Sequence, residues 1–212
     1  MNERRIMMIA GLACLSLLAP MAQSQEKTEA ARVAKKVERA KHRATHEAKE
    51  EQEAVRRFQK RLARYAQIHA NHLARLGGQK AVTAQALAGA IAKDRENAKQ
   101  GDLFRVDVQP LLKKLIAEQL KGPGTRAAQE AVKEGNPDED EVDSVPVVPR
   151  VNAVYPMGAA RSTVPASVLL ILPPLPECLQ YRFVGRDLLL VDAVAQLIVD
   201  FMTDAAPVPA VR

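Results

Sequence analysis

LQYRFVGRDLLLVD, residues 179–192, is the stretch of sequence that determines the class of fold. Two runs within it, residues 179–184 and 188–192, are rich in the aliphatic, aromatic and β-branched side chains that favour strands. The break between them, Gly185-Arg186-Asp187, is three residues long and contains a glycine. A short glycine-containing break between two such runs predicts a β-hairpin.

The sequence around this hairpin predicts a small unit bounded by prolines. Residues 196–202 supply a third strand or a short helix, and residues 167–172 supply a short apolar turn of helix or a strand. Residues 173–176, Pro-Pro-Leu-Pro, force an extended stretch between residues 167–172 and the hairpin. Four of the seven aromatic residues, Tyr155, Tyr181, Phe183 and Phe201, lie in the last part of the chain. Because an isolated hairpin is only marginally stable in water, we expect residues 150–212 to add a strand or to pack against helices.

A long helix is predicted for residues 25–76. This segment contains no Pro or Gly, is rich in Ala, Glu, Lys and Arg, and is followed by the helix-terminating pair Gly77-Gly78. Its second half carries apolar residues three and four apart, at Val55, Phe58, Leu62, Tyr65 and Ile68. In the first half a weak coiled-coil seam consists mostly of alanine and is interrupted by Lys41 and Glu51. We therefore expect residues 53–76 to pack on other elements and the preceding half to be a solvated helix.

Two or three shorter helices follow. The first is predicted to begin after Thr83 as N-cap, to carry Leu87, Ala90 and Ile91 on one face, and to end near Gly101. The next is predicted from about Asp107 to Lys121, because Pro110 then falls in the first turn, where proline is tolerated. Its apolar face contains Leu111, Leu112, Leu115, Ile116 and Leu120.

The composition changes after this helical region. Residues 125–134 are compatible with one more short helix. Residues 135–149 contain five acidic side chains and no basic one, which predicts an acidic disordered linker. The sequence therefore predicts an α+β protein with a helical region at residues 25–134, the linker, and the small β unit at residues 150–212.

The first 24 residues have the pattern of a removable secretory signal. Arg4 and Arg5 precede an uncharged apolar run over residues 6–18, and a proline then breaks that run. Small side chains at Ala22 and Ser24 suit a signal peptidase, so we expect cleavage after Ser24. The apolar stretch is at or below the minimum length of a membrane-spanning helix. We therefore expect a periplasmic or secreted protein.

Two other export signals were compared with this one. The pair Arg4-Arg5 leaves a twin-arginine signal open, although Glu3 and Met7 fit its neighbouring positions poorly. Cys14 is compatible with lipid attachment, but the apolar run continues past it. The pattern favours a general secretory signal.

Positive charge is concentrated in the long helix. Residues 25–76 hold 14 basic and 7 acidic side chains. Within them Arg57, Lys60, Arg61 and Arg64 form a cationic face opposite the apolar stripe, as in helices that bind anionic surfaces. We interpret this face as a binding site for an anionic envelope surface or an acidic protein partner. The alternative is that its charge only solubilises a helix that packs on the shorter helices. No aromatic residues are interleaved for base stacking, so we expect no nucleic acid.

His42 and His46 are the candidate metal ligands. They are one helical turn apart, which suits two ligands of one ion. A complete site needs three or four ligands, however, and the neighbouring Lys41, Arg43 and Lys49 repel a cation. A solvated polar face is the competing interpretation, and we favour it.

The remaining histidines and the cysteine do not predict catalysis. His69 and His72 continue the apolar stripe and are expected to cap its end. Cys178 is the one cysteine left after signal removal, so we expect it to be buried or to pair with another chain, and we favour burial. As a nucleophile it would need a histidine from a distant part of the sequence, and the neighbouring Glu177 acts to raise its pKa.

The acidic residues of the β unit also have a structural interpretation. Asp187, Asp192 and Asp200 are expected at strand ends and sheet edges, where a charge prevents unwanted strand pairing. Neither Gly77-Gly78 nor residues 122–124 have the residues of a phosphate-binding loop. We therefore expect no catalytic residues, no cofactor and no enzymatic activity.

Five strings carry a resemblance to known proteins: LPPLPE (residues 172–177), YRFVGRDL (181–188), LIVD (197–200), VNAVYP (151–156) and AKQGDLF (98–104). Through them the chain, from about residue 58 onward, resembles a family of exported bacterial proteins of unknown function. This resemblance implies a periplasmic or secreted protein. The hairpin with its VGRD turn also resembles the small C-terminal β unit of periplasmic nickel and cobalt homeostasis proteins. That likeness implies, as an alternative function, a metal-homeostasis accessory protein.

Overall fold

The computed structural model of this 212-residue chain describes residues 19–77, 82–121, 147–156, 159 and 164–207, and the side chains among them from residue 32 onward. Within these residues lie four helices and three strands: α1 (Ala19–Gly77), α2 (Ala84–Asp94), α3 (Gln109–Lys121), α4 (Ala166–Leu169), β1 (Leu179–Val184), β2 (Asp187–Asp192) and β3 (Leu197–Met202). The long helix, the shorter helices and the C-terminal antiparallel sheet confirm the predicted α+β class. No described helix is both long and apolar enough to span a membrane.

Helix α1 has an exposed part and a packed part. The chain divides into two compact units, Met1–Glu50 and Glu51–Arg212. In the first unit, residues 32–50 of α1 are all exposed. In the second unit, residues 51–77 bury a stripe with a spacing of three and four residues: Ala54, Phe58, Leu62, Tyr65, His69 and His72. The prediction that packing starts near residue 53 is therefore confirmed.

Helix α2 begins where it was predicted and ends earlier. Thr83 is the N-cap, and its hydroxyl oxygen accepts a hydrogen bond from a backbone amide of the first turn at 3.2 Å. The helix ends at Asp94 with Arg95 as C-cap, so the predicted end near residue 100 was wrong. The physical reason lies at Arg95, whose backbone leaves the helical region with φ −112° and ψ 30°. Its carbonyl oxygen accepts hydrogen bonds from the amide of Ala98 and from the side chain of Asn152, so it is not available to a continued helix.

Helix α3 begins at Gln109, two residues after the predicted start, and Pro110 lies in its first turn as expected. Asp107 remains outside the helix, where its carboxylate pairs with Arg61 of α1. The buried face of α3 consists of Leu112, Ile116 and Leu120. The short helix predicted at residues 125–134 and most of the acidic linker predicted at residues 135–149 lie outside the described residues.

The three strands form an antiparallel sheet in the order β1-β2-β3. Val184 pairs with Asp187, so the connecting turn is Gly185-Arg186, one residue shorter than predicted. Gly185 has a φ of 59°, which glycine adopts without a steric penalty. Two alternatives left open by the sequence are resolved: residues 197–202 form a strand, and residues 166–169 form a helix.

One hydrophobic core joins α1, α2 and α3 to a face of the sheet. It includes Phe58, Leu62, Leu87, Ile91, Leu112, Ile116, Phe183, Leu188, Leu190, Leu197 and Val199. The other face of the sheet is covered by Tyr155, which packs with Leu189, Val191 and Ile198. Full burial of such a side chain contributes about 1.5–3 kcal/mol. The hairpin is thus stabilised by burial of both its faces, as expected for a unit too small to fold alone.

Candidate functional site

A cluster of buried polar side chains lies where α1 packs against the first hairpin. Tyr65 and His69 are four residues apart, so they lie on the same face of α1. Asp192 is the last residue of β2 and Cys178 immediately precedes β1. Because Leu179 pairs with Asp192 in the antiparallel register, Cys178 is brought next to Asp192. Four side chains from three distant segments of the sequence therefore meet at one place.

Asp192 is fully buried and accepts four hydrogen bonds. One oxygen, Oδ2, lies 2.7 Å from the Tyr65 hydroxyl and 2.6 Å from His69 Nδ1. The other oxygen, Oδ1, accepts from the backbone amides of Val194 and Ala195 at 3.0 and 2.8 Å. These donors offset the cost of burying a carboxyl group. Since a carboxylate oxygen accepts, the geometry places the proton of the imidazole on Nδ1.

Cys178 is half-buried and is not in a disulfide. The favoured expectation that Cys178 is buried is therefore met only in part: the side chain packs against the edge of the core at the end of a proline-rich approach. Its Sγ, a ring nitrogen of His69 and a carboxylate oxygen of Asp192 all lie within 4.8 Å of one another. Burial raises the pKa of the Cys178 thiol, and the nearby Asp192 carboxylate raises it further.

This geometry restricts the chemistry of the His–Cys–Asp cluster, by which we mean His69, Cys178 and Asp192. A nucleophilic cysteine needs a lowered thiol pKa, whereas the pKa of this thiol is raised. Metal binding has a different requirement, namely sulfur, nitrogen and oxygen ligands close together. Among the described residues, this is the one group of three or more His, Cys, Asp or Glu side chains close enough to hold a metal ion.

Asp200 is a second fully buried carboxyl group, and its role is structural. It accepts hydrogen bonds at 2.7–2.8 Å from the backbone amides of Gly101, Leu103, Phe104 and Phe201. Burial raises the pKa of Asp200, and these four hydrogen bonds act in the opposite direction. Three of these amides belong to the loop between α2 and α3, so the Asp200 side chain anchors this loop to β3.

The predicted role of the β-unit aspartates is thus partly wrong. Asp192 and Asp200 do not serve to prevent strand pairing at exposed sheet edges, because both are fully buried and bind distant segments through hydrogen bonds. Asp187 is partly exposed and accepts a hydrogen bond from the backbone amide of Asp204 beside the hairpin turn.

The other three histidines lie outside the His–Cys–Asp cluster. His72 is buried near the end of α1, as the stripe predicted, and its Nε2 lies 3.2 Å from the carboxylate of Asp94. His42 and His46 are exposed on α1, and His46 Nδ1 is 3.5 Å from Glu50. The pair does not belong to a three-ligand group within the described part of the chain.

The predicted cationic face is only partly available for a partner. Arg57 and Arg61 both bind the Asp107 carboxylate at 2.9 Å, and Arg61 also donates to the carbonyl oxygen of a neighbouring loop. Partial burial acts to raise the pKa of Asp107, but hydrogen bonds from Arg57 and Arg61 outweigh it and leave that pKa below its usual value. Lys60 and Arg64 are exposed. Two of the four predicted residues are therefore used in a contact within the protein.

A more accessible cationic surface lies upstream on the same helix. We call residues 32–50 the basic segment: all of its side chains are exposed, and it contains seven Lys or Arg and three Glu. Lys35, Arg39 and Arg43 follow each other at intervals of four and form one row along the helix. Val33 and Val37, on a different face, are 56% and 48% exposed, although both are apolar.

Comparisons of the chain with protein-family models, with curated proteins and with solved structures gave no match. The candidate sites therefore stand on their own geometry. Sequence reasoning considered His69, Cys178 and Asp192 one at a time and missed their association. Its best signal was that His69 falls on the buried stripe, where an imidazole requires a polar partner. The partner itself, 123 positions away in the sequence, could not be identified from spacing.

Proposed function

We propose that this protein is a non-catalytic, exported protein that binds anionic lipid headgroups of an envelope membrane through the basic segment. The observation that carries the proposal is that residues 32–50 are all exposed and carry four more positive than negative charges. Long, extended cationic surfaces of this kind attract anionic surfaces. The proposal moves the binding site upstream of the predicted face at Arg57, Lys60, Arg61 and Arg64.

The composition of the basic segment determines how such binding should behave. Its apolar face contains two valines and otherwise alanines, Ala40, Ala44 and Ala48, so insertion would bury little apolar area. Each Lys or Arg near an anionic membrane contributes about 1 kcal/mol, and salt screens this attraction. Binding should therefore be dominated by charge and should be reversed by salt.

The test measures co-sedimentation of the full chain with vesicles of phosphatidylglycerol and phosphatidylethanolamine, at low and high salt. We expect the triple variant Lys35→Gln, Arg39→Gln, Arg43→Gln to bind about 100-fold more weakly than the unchanged protein at low salt. The matched control, Lys93→Gln, Lys99→Gln, Lys121→Gln, removes the same charge from exposed positions elsewhere and should bind as the unchanged protein does.

The same assay separates the competing interpretations. All variants keep the same first 24 residues, so differences between them report on the substituted side chains. Equal binding to neutral phosphatidylcholine vesicles, or an unchanged affinity in the triple variant, would overturn the proposal. If Lys60→Gln, Arg64→Gln instead abolishes binding, the site lies on the originally predicted face. Absence of vesicle binding would favour an acidic protein partner.

A further inference from the structure

We propose that His69, Cys178 and Asp192 form a binding site for a single borderline-soft divalent cation of the Zn²⁺ type. This site lies in the second unit and is independent of lipid binding by the basic segment. It also differs from the metal hypothesis at His42 and His46, which rested on helical spacing alone.

The ligand atoms are of the right type and nearly at the right separation. Zn²⁺ takes sulfur at about 2.3 Å and nitrogen or oxygen at about 2.0–2.2 Å, which places two ligands of a tetrahedral ion about 3.5 Å apart. The three candidate atoms of the cluster lie within 4.8 Å of one another. Side-chain movements of about 1 Å therefore bring them into the first coordination sphere, and water completes it.

Two of the three side chains are already held in place. Asp192 is fixed by the backbone amides of Val194 and Ala195 and by the Tyr65 hydroxyl, all independent of the histidine. His69 is buried on α1, and its Nδ1 lies 2.6 Å from Asp192 Oδ2. Ion binding replaces the hydrogen bond between these two atoms: the neutral imidazole then carries its proton on Nε2, and the Nδ1 lone pair binds the ion beside the carboxylate. Cys178 is half-buried, so it is the ligand with room to move and the side from which an ion enters.

The charge balance fits a buried site. On binding, the Cys178 thiol loses its proton to solvent, and the resulting thiolate and the Asp192 carboxylate together neutralise a divalent ion. A neutral buried complex avoids the cost of an unpaired buried charge. The guanidinium of Arg95, 5.1 Å above the Tyr65 ring, is directed elsewhere by hydrogen bonds to Asn152 and to the carbonyl of Val199.

The experiment is a titration of the reduced full chain with Co²⁺, followed by displacement with Zn²⁺. We expect saturation at one ion per chain, a thiolate-to-Co²⁺ charge-transfer band in the near ultraviolet, and loss of that band when Zn²⁺ is added. Cys178→Ser should remove the band and weaken Zn²⁺ binding by about 100-fold. This substitution is close in size and lies at a half-buried position, so the variant should keep its fold, which its melting temperature checks.

The matched control is the double variant His42→Ala, His46→Ala, which removes two exposed imidazoles and should bind the ions as the unchanged chain does. Asp192→Asn and His69→Gln are informative only where near-ultraviolet circular dichroism shows a native fold, because both positions are buried. Absence of the charge-transfer band in the unchanged protein would overturn the proposal. So would unchanged Zn²⁺ affinity in a folded Cys178→Ser variant, or loss of binding in the His42, His46 control.

Discussion

At the scale of single residues, the protein depends on carboxylates that link segments far apart in the sequence. Asp192 accepts hydrogen bonds from Tyr65 and His69 of α1, and Asp200 accepts them from backbone amides of the loop before α3. Asp107 forms ion pairs with two arginines of α1. An aspartate in a sequence gives little indication of such partners, because most aspartates are exposed. The sequence analysis therefore singled out Asp192 and Asp200 but assigned both the wrong role, and it named Asp107 only as the start of a predicted helix.

Asp107→Asn tests one of these links and has a defined pH dependence. Removing the charge should lower the unfolding free energy by about 1 kcal/mol at neutral pH, because Arg57 and Arg61 lose their partner. The pKa of Asp107 is lowered in the folded protein, so its contribution is present above the usual value of 3.8 and is lost as the pH falls further. Urea denaturation at neutral pH and near pH 3 measures both effects.

The control for this substitution is Asp204→Asn. Asp204 also pairs with an arginine, Arg186, at 3.0 Å, but both side chains are largely exposed, 62% and 46%. The control should change the unfolding free energy by less than about 0.5 kcal/mol. If the difference between the Asp107 variant and the unchanged protein persists undiminished at low pH, the ion pair is not its cause.

At the scale of secondary-structure elements, the loop between α2 and α3 shows how the sheet determines where a helix ends. Continued helix was predicted to residue 100, yet the chain turns at Arg95 and offers the amides of Gly101, Leu103 and Phe104 to Asp200. At residue 95 the helical pattern gives way to contacts of Arg95 with Asn152 and with the carbonyl of Val199 on β3, which is 104 positions later in the sequence. Local periodicity cannot report such a contact.

Asp200→Asn tests whether the hydrogen bonds of the Asp200 carboxylate anchor the loop to the sheet. An amide offers one acceptor oxygen where the carboxylate offers two, so at least one of the buried backbone donors loses its partner. We expect the unfolding free energy to fall by about 2–3 kcal/mol and amide exchange at Gly101 and Leu103 to become faster. Asp187→Asn, at a partly exposed position, should have a smaller effect on both measurements. Unchanged exchange in the loop would show that Asp200 does not hold it.

Much of the secondary structure followed from local signals. The hairpin was predicted from the glycine between two apolar runs, α2 from its Thr83 cap, and the packed half of α1 from its apolar spacing. The candidate metal site did not follow in the same way, because its three residues lie on α1, immediately before β1 and at the end of β2. Their proximity arises only from the sheet register and from the packing of α1 on the sheet.

At the scale of the whole molecule, the described part of the chain from Glu51 onward shares a core between helices and strands, and its main polar links cross between them. The signal-like first 24 residues stay outside the described side chains, and export remains a prediction from their pattern. The proposed lipid binding rests on this prediction, whereas the proposed metal site does not.

Cell fractionation with intact-mass analysis tests the export prediction. We expect the protein in the periplasm or medium with Gln25 as its first residue, since Ala22 and Ser24 suit cleavage after Ser24. The variant Leu15→Arg places a charge within the apolar run and should accumulate uncleaved. A cytosolic protein that retains Met1 in its unchanged form would contradict the prediction.

The position of β3 in the chain has a consequence for biosynthesis. Val199 and Met202 of β3 complete the core, and Asp200 completes the hydrogen bonds of the loop made of residues 101–104. On the ribosome these residues emerge more than 100 positions after Phe58 and Leu62, so the core that the helices share with the sheet is complete only near the end of synthesis. The C-terminal strand must therefore be synthesised before the core can close. A chain whose core is still open can be threaded through a narrow pore.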